Sequence, residues 1–108
     1  MTIDHVVEFI IEAMHEDLAG RGTLGVRLVQ NFPALPASQL SAAFSAAADA
    51  IEEMFEHEGH PTDQANRARA LAAEVARDAA RLGTDAPDVA ALGRLWAAGE
   101  GTFPAARD

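Results

Sequence analysis

The chain alternates between apolar stripes of helical period and short breaks rich in glycine and proline. The first stripe contains Ile3, Val6, Val7, Ile10, Ile11, Met14 and Leu18. Steps of three and four place these residues on one side of a helix predicted over residues 2–19. Thr2 is positioned to cap it, Asp4 lies in its first turn, where a carboxylate complements the helix dipole, and Gly20-Arg21-Gly22 stops it. Over residues 23–31, Leu24 and Leu28 repeat every four residues and lead into Phe32, which favours a short helix capped by Thr23. The alternation Val26-Arg27-Leu28 also reads as a strand, and Gly25 weakens either assignment. Phe32-Pro33-Ala34-Leu35-Pro36 is a stiff connector, because each proline restricts the residue before it.

A third helix is predicted from a Ser38 cap to Glu58, with Leu40, Phe44, Ala47, Ile51, Met54 and Phe55 on one face. Gly59 and Pro61 end it. A fourth runs from a Thr62 cap to Leu82. Its inward side is Ala65, Ala68, Leu71, Ala72, Val75, Ala79 and Leu82, mostly small, so that a neighbour can approach closely. The short link between the two implies an antiparallel hairpin. After Gly83, Asp85 is the expected cap of a fifth helix, with Pro87 in its first turn and Val89, Leu92, Leu95 and Trp96 on its apolar side. Trp96 on such a face reads as core. The expected fold is all-α: a compact, orthogonal or up-and-down bundle of four to five helices over residues 1–98, with a flexible C-terminal tail over 99–108.

Composition agrees with this reading. The 108 residues suit one domain, and 49% hydrophobic against 23% charged residues is a globular balance. There is no cysteine, which excludes a disulfide framework, thiolate metal ligands and a cysteine nucleophile. With no spanning apolar run and no basic leader, the expectation is a cytoplasmic protein. The net charge of -9 argues against direct nucleic-acid binding, which needs a basic footprint, and the lack of a polybasic segment argues against an anionic membrane.

That charge is unevenly placed. Asp4, Glu8, Glu12 and Glu16 follow one another at i, i+4 along the first helix, about 5 to 6 Å apart at Cβ. Asp49, Glu52, Glu53 and Glu56 crowd the polar side of the third. Neither helix contains a basic residue, and the first 60 residues hold ten acidic and two basic side chains. Like charges at this spacing each destabilise a helix by roughly 0.2 to 0.5 kcal/mol, so unmixed rows are unusual. The fourth helix does mix signs, and Arg67, Glu74, Arg77, Asp78 and Arg81 are expected together on its outer face. The plain reading of the rows is a solvated surface that maintains solubility. Within the chain, Arg67 or Arg69 can reach Glu52 or Glu53 across the hairpin. The functional reading is a docking face for a protein with a basic surface, an Arg-rich tail or a DNA-binding face.

Phe9 projects toward the polar side of the first helix. It can pack under the Phe32–Leu35 connector or anchor a protein contact, and Phe103 is open to the same two roles. Exposed apolar remainder from Phe9, the 24–35 segment or the fifth helix offers a homodimer surface.

One element carries metal chemistry. Glu8, Glu12 and His15 have the spacing Glu-x-x-x-Glu-x-x-His, and Glu12-x-x-His15 resembles the Glu-x-x-His of ferritin-like di-iron bundles. The resemblance covers that element alone, and the chain has no second copy. Carboxylates with a neutral imidazole suit Fe, Mn or Zn, here with the set completed across a dimer. His57 and His60 beside Glu53 and Glu56 form a second cluster, where a histidine near a helix C-terminus also complements the dipole. Enzyme templates do not fit. Gly20–Gly25 lacks a preceding strand and a following lysine, no Gly-x-Ser-x-Gly elbow surrounds Ser38, Ser41 or Ser45, and His57-Glu58-Gly59-His60 is one residue short of His-Glu-x-x-His. The sequence therefore favours a non-enzymatic interaction or regulatory module acting through its acidic face, with the metal site as the alternative.

Overall fold

The computed structural model describes residues 3–16, 24–54, 62–83 and 85–101, apart from the side chains of residues 15, 16, 54 and 62–64. Five helices make up the described chain: α1 (Ile3–Glu16), α2 (Leu24–Asn31), α3 (Ala37–Met54), α4 (Thr62–Leu82) and α5 (Val89–Ala97). The expected all-α bundle is what forms, and residues 24–31 are helix rather than strand. The expected caps and breaks at Thr2, residues 20–23, Gly59 and Pro61 lie outside the described residues.

The core follows the stripes. Val6, Ile10 and Met14 of α1, Leu40, Phe44, Ala47 and Ile51 of α3, and Ala65, Ala68, Leu71, Ala72 and Val75 of α4 are all buried. Ala79 and Leu82 are half-buried against this core, while Ile3, at the open end of its stripe, is exposed. Phe44 is the largest fully buried side chain. Full burial of a side chain of that kind stabilises the bundle by roughly 1.5 to 3 kcal/mol. α3 and α4 form an antiparallel pair that packs closely through alanine. Ser41 Oγ donates to the Ala72 carbonyl at 2.9 Å, and farther along α3, Glu52 meets Arg69. α1 lies on α3, and α5 fills the remaining side against α2, α4 and α3.

Two connectors position α5. Pro36 and Asp88 form an isolated antiparallel bridge, in which Ala37 N donates to Pro87 O at 2.8 Å and Val89 N to Leu35 O at 2.9 Å. A helix begins with four N–H groups that lack intrahelical partners. In α5 the first three helical residues find acceptors outside the ladder, Val89 on Leu35 O, Ala90 on Pro33 O and Ala91 on the Asp88 carboxylate, and the bond from Leu92 N to Asp88 O opens the ladder itself. The stiff connector thus caps the fifth helix as well as joining the second to the third.

Three local expectations are corrected. Asp88, not Asp85, is the N-cap of α5, with extended backbone and its Oδ1 2.9 Å from Ala91 N, so Pro87 precedes the helix instead of opening it. α3 starts at Ala37, before Ser38, because Pro36 O already accepts from Gln39 and Leu40. Asp78 is not on the outer face of α4; it is fully buried. It lies seven residues, two helical turns, beyond the buried Leu71 and shares that residue's side of the helix. Beyond α5, Gly99, Glu100 and Gly101 fold back on α4 and α5, and residues 102–108 lie outside the described residues.

Candidate functional site

The acidic row of α1 is built by its own stripe. Burial of Val6, Ile10 and Met14 turns Asp4, Glu8 and Glu12 to the opposite side, and all three are exposed. Among the described residues no arginine or histidine pairs with them. The row has the regular spacing of successive helical turns and faces water along its described length. The side chain of Glu16, its last member, lies outside the described residues.

The α3 row has a different environment. Asp49, Glu52 and Glu53 are exposed, but Arg69 of α4 reaches across the hairpin and binds two of them. Its Nη2 donates to Asp49 Oδ1 at 3.0 Å and its Nη1 to Glu52 Oε1. The hydrogen bond to Glu52 first, then that to Asp49, raise the guanidinium pKa above its ordinary value. The cross-hairpin pairing expected of Arg67 or Arg69 with Glu52 or Glu53 is thus made by Arg69, to Glu52 and Asp49. Glu56 lies outside the described residues.

Phe9 takes the structural one of its two roles. Half-buried, it meets Phe32 edge to face at 5.0 Å between centroids and 85°, and Arg27 lies 5.3 Å above its ring. His5, one turn earlier on α1, also meets Phe32 edge to face, at 6.2 Å and 77°. An aromatic pair and a cation over a ring are each attractive by roughly 0.5 to 1.5 kcal/mol. This cluster fastens α1 to the end of α2. Leu24, Leu28, Phe32 and Leu35 are buried too, so the only large hydrophobic side chains exposed among the described residues are Ile3 and Val26.

A ferritin-like site needs carboxylates directed into the bundle. Glu8 and Glu12 point the other way, into solvent, so any site they form lies on the surface. The His15 side chain, His57 and His60 lie outside the described residues. Among those described, no group of three or more His, Asp or Glu side chains is placed to hold a metal ion.

The most distinctive polar contact was not expected from the sequence. Asp78 Oδ2 accepts the indole N–H of Trp96 at 2.9 Å, and both residues are buried. Trp96 is core, as its helix face implied, but a buried indole still requires an acceptor. That requirement was the available signal, and the burial of Leu71 on the same side of α4 indicated where an acceptor could sit. Asp78 affects a neighbour: the half-buried Glu74, one turn earlier, has its pKa raised by desolvation and then by Asp78, with Arg77 opposing.

Two surface hollows are lined by described residues. One, of about 440 Å³, lies among Ala37, Ser38, Ser41, Ala76 and Pro87, and the other, of about 350 Å³, runs between α2 and α5 along Val26, Val29, Gly93 and Trp96. No acidic or histidine side chain is among their described lining residues, and the Ser41 hydroxyl already donates to Ala72. No described helix is long and apolar enough to cross a membrane. Comparison of the chain with known protein families, curated proteins and solved structures returned no match.

Proposed function

We propose that the protein is a non-enzymatic interaction module that recognises a basic partner protein through the acidic row of α1. One observation carries this reading. Asp4, Glu8 and Glu12 stand exposed in register without a pairing arginine among the described residues, whereas Asp49 and Glu52 of the α3 row are already engaged by Arg69. The α1 row keeps its mutual repulsion, which a basic partner would relieve. Such a field accelerates association and selects among partners more than it adds affinity. Phe9, half-buried against Phe32, lies on the same helix beside the row.

The test uses a fluorescent oligo-arginine peptide as probe. Binding is expected to weaken steeply as salt rises, because exposed pairs are screened over about 10 Å at 0.1 M ionic strength. The double change Glu8→Lys with Glu12→Lys should abolish it. Glu53→Lys with Asp85→Lys changes the net charge equally at exposed sites off the row and should leave most of it. Equal loss in both double variants would show that only total charge matters and would reject the α1 face. The same titration with Fe, Mn or Zn added checks the alternative, since a metal held by Glu8, Glu12 and His15 would compete with the peptide.

A further inference from the structure

Residues 99–101 close over the Asp78–Trp96 pair. α5 ends in a Schellman turn: Gly99 N donates to Trp96 O at 2.9 Å, Glu100 N to Leu95 O at 3.2 Å, and Gly99 takes the left-handed φ of 76° that this turn requires. The chain is thereby reversed, and Gly101 rests on the pair itself. A Cβ at Gly101 would fall 2.6 Å from Trp96 Cδ1 and 2.8 Å from Asp78 Oδ2, so only a hydrogen fits there. From α4, Arg81 Nη1 donates to the Glu100 carbonyl at 2.7 Å and holds the segment down.

Two physical properties make this cover cheap to lift. Its fastenings lie at the solvent edge: Arg81, Ala97, Ala98, Gly99 and Glu100 are all exposed, so water replaces the broken hydrogen bonds. What it covers includes the polar groups of the pair beside the edge of the Trp96 ring. When water reaches the Asp78 carboxyl and the Trp96 indole N–H, both regain hydration, which offsets the lost contact. The Phe44 region offers no such return, because there the exposed surface would be apolar.

We propose that residues 99–101 are a strap that opens together with the last turn of α5 while the α1–α3–α4 core stays folded. Opening admits water to Asp78 and uncovers the Trp96 ring, which extends the apolar groove between α2 and α5. The strap is a conformational device that sets how much of this groove is presented.

Hydrogen exchange on the full chain, followed by NMR, tests the proposal, because the single tryptophan gives one indole N–H signal. After correction for intrinsic rates, that proton should exchange at least about ten-fold faster than the Phe44 amide in the middle of α3. Arg81→Ala should speed it by a further factor of about three to ten and leave Phe44 unchanged, as should Gly101→Ala. The strap idea is overturned by an indole that exchanges in step with Phe44, by equal acceleration of both in Arg81→Ala, or by an indole rate that Arg81→Ala does not move. Arg81→Ala alters only an exposed contact, so the test stands even if Gly101→Ala fails to fold.

Discussion

Oδ2 of Asp78 lies 2.9 Å from Nε1 of Trp96, eighteen residues further along the chain and on a different helix. Asp78 is the only residue of a charged type that is buried among the described residues, and it ties α4 to α5. Removing one partner of a buried hydrogen bond leaves the other unsatisfied, at roughly 1 to 3 kcal/mol. Asp78→Ala should therefore destabilise the protein by about 2 kcal/mol, a fall in Tm on the order of 10 °C. Asp78→Asn keeps an acceptor oxygen and should lose less. Urea and thermal unfolding followed by circular dichroism measure both. A loss below about 0.5 kcal/mol in Asp78→Ala, the range of an ordinary surface change, would mean that the pair does not hold α5.

The crossing of α2 and α5 depends on Gly93. A Cβ there would fall 2.7 Å from Val29 Cγ2. Gly93→Ala should cost about 1 to 3 kcal/mol through overpacking, despite the better helix propensity of alanine. Val29→Ala in the same chain removes the obstructing methyl groups and should recover a large part of that loss. Additivity of the two changes in a double-mutant cycle would exclude the steric explanation.

The start of α5 separates two aspartates three residues apart. Asp88→Ala removes the side-chain acceptor of Ala91 N and should cost about 1 kcal/mol. Asp85 is exposed and outside the helix, so Asp85→Ala should stay within about 0.5 kcal/mol of the unmodified protein. Chemical denaturation of the two variants side by side distinguishes them, and the reverse order would reassign the cap.

Glu74 makes stability depend on pH in a defined direction. Its folded pKa is raised above the usual 4.5 by desolvation and by Asp78, with Arg77 opposing. The folded state therefore keeps this proton to a higher pH than the unfolded chain. The ionised group destabilises the fold, fully so above the folded pKa, and the penalty fades as pH falls below the ordinary carboxylate value. Glu74→Gln should raise Tm near neutral pH and lose that advantage at about pH 3. Tm measured for both proteins across this range checks the sign, and a Glu74→Gln advantage that grew on acidification would contradict it.

The sequence by itself determined the helical class and most of the core. Periodicity is a local property, and once Val6, Ile10 and Met14 form a stripe, any helix built on it exposes Asp4, Glu8 and Glu12. The same reasoning placed the alanine face of α4 and the inward side of Trp96. It failed where two segments distant in sequence share one group. Asp78 looked like part of a charged outer face until α5 supplied an indole donor. The choice of Asp88 over Asp85 depended on Leu35 and Pro33 lending their carbonyls to the first turn of α5. Residues 99–101 turn back along α5 to where Gly101 meets a ring and a carboxyl. Tertiary structure decided these points because hydrogen-bond satisfaction is settled among neighbours in space, whereas the stripe that buries an apolar side chain is written in the order of residues along one helix.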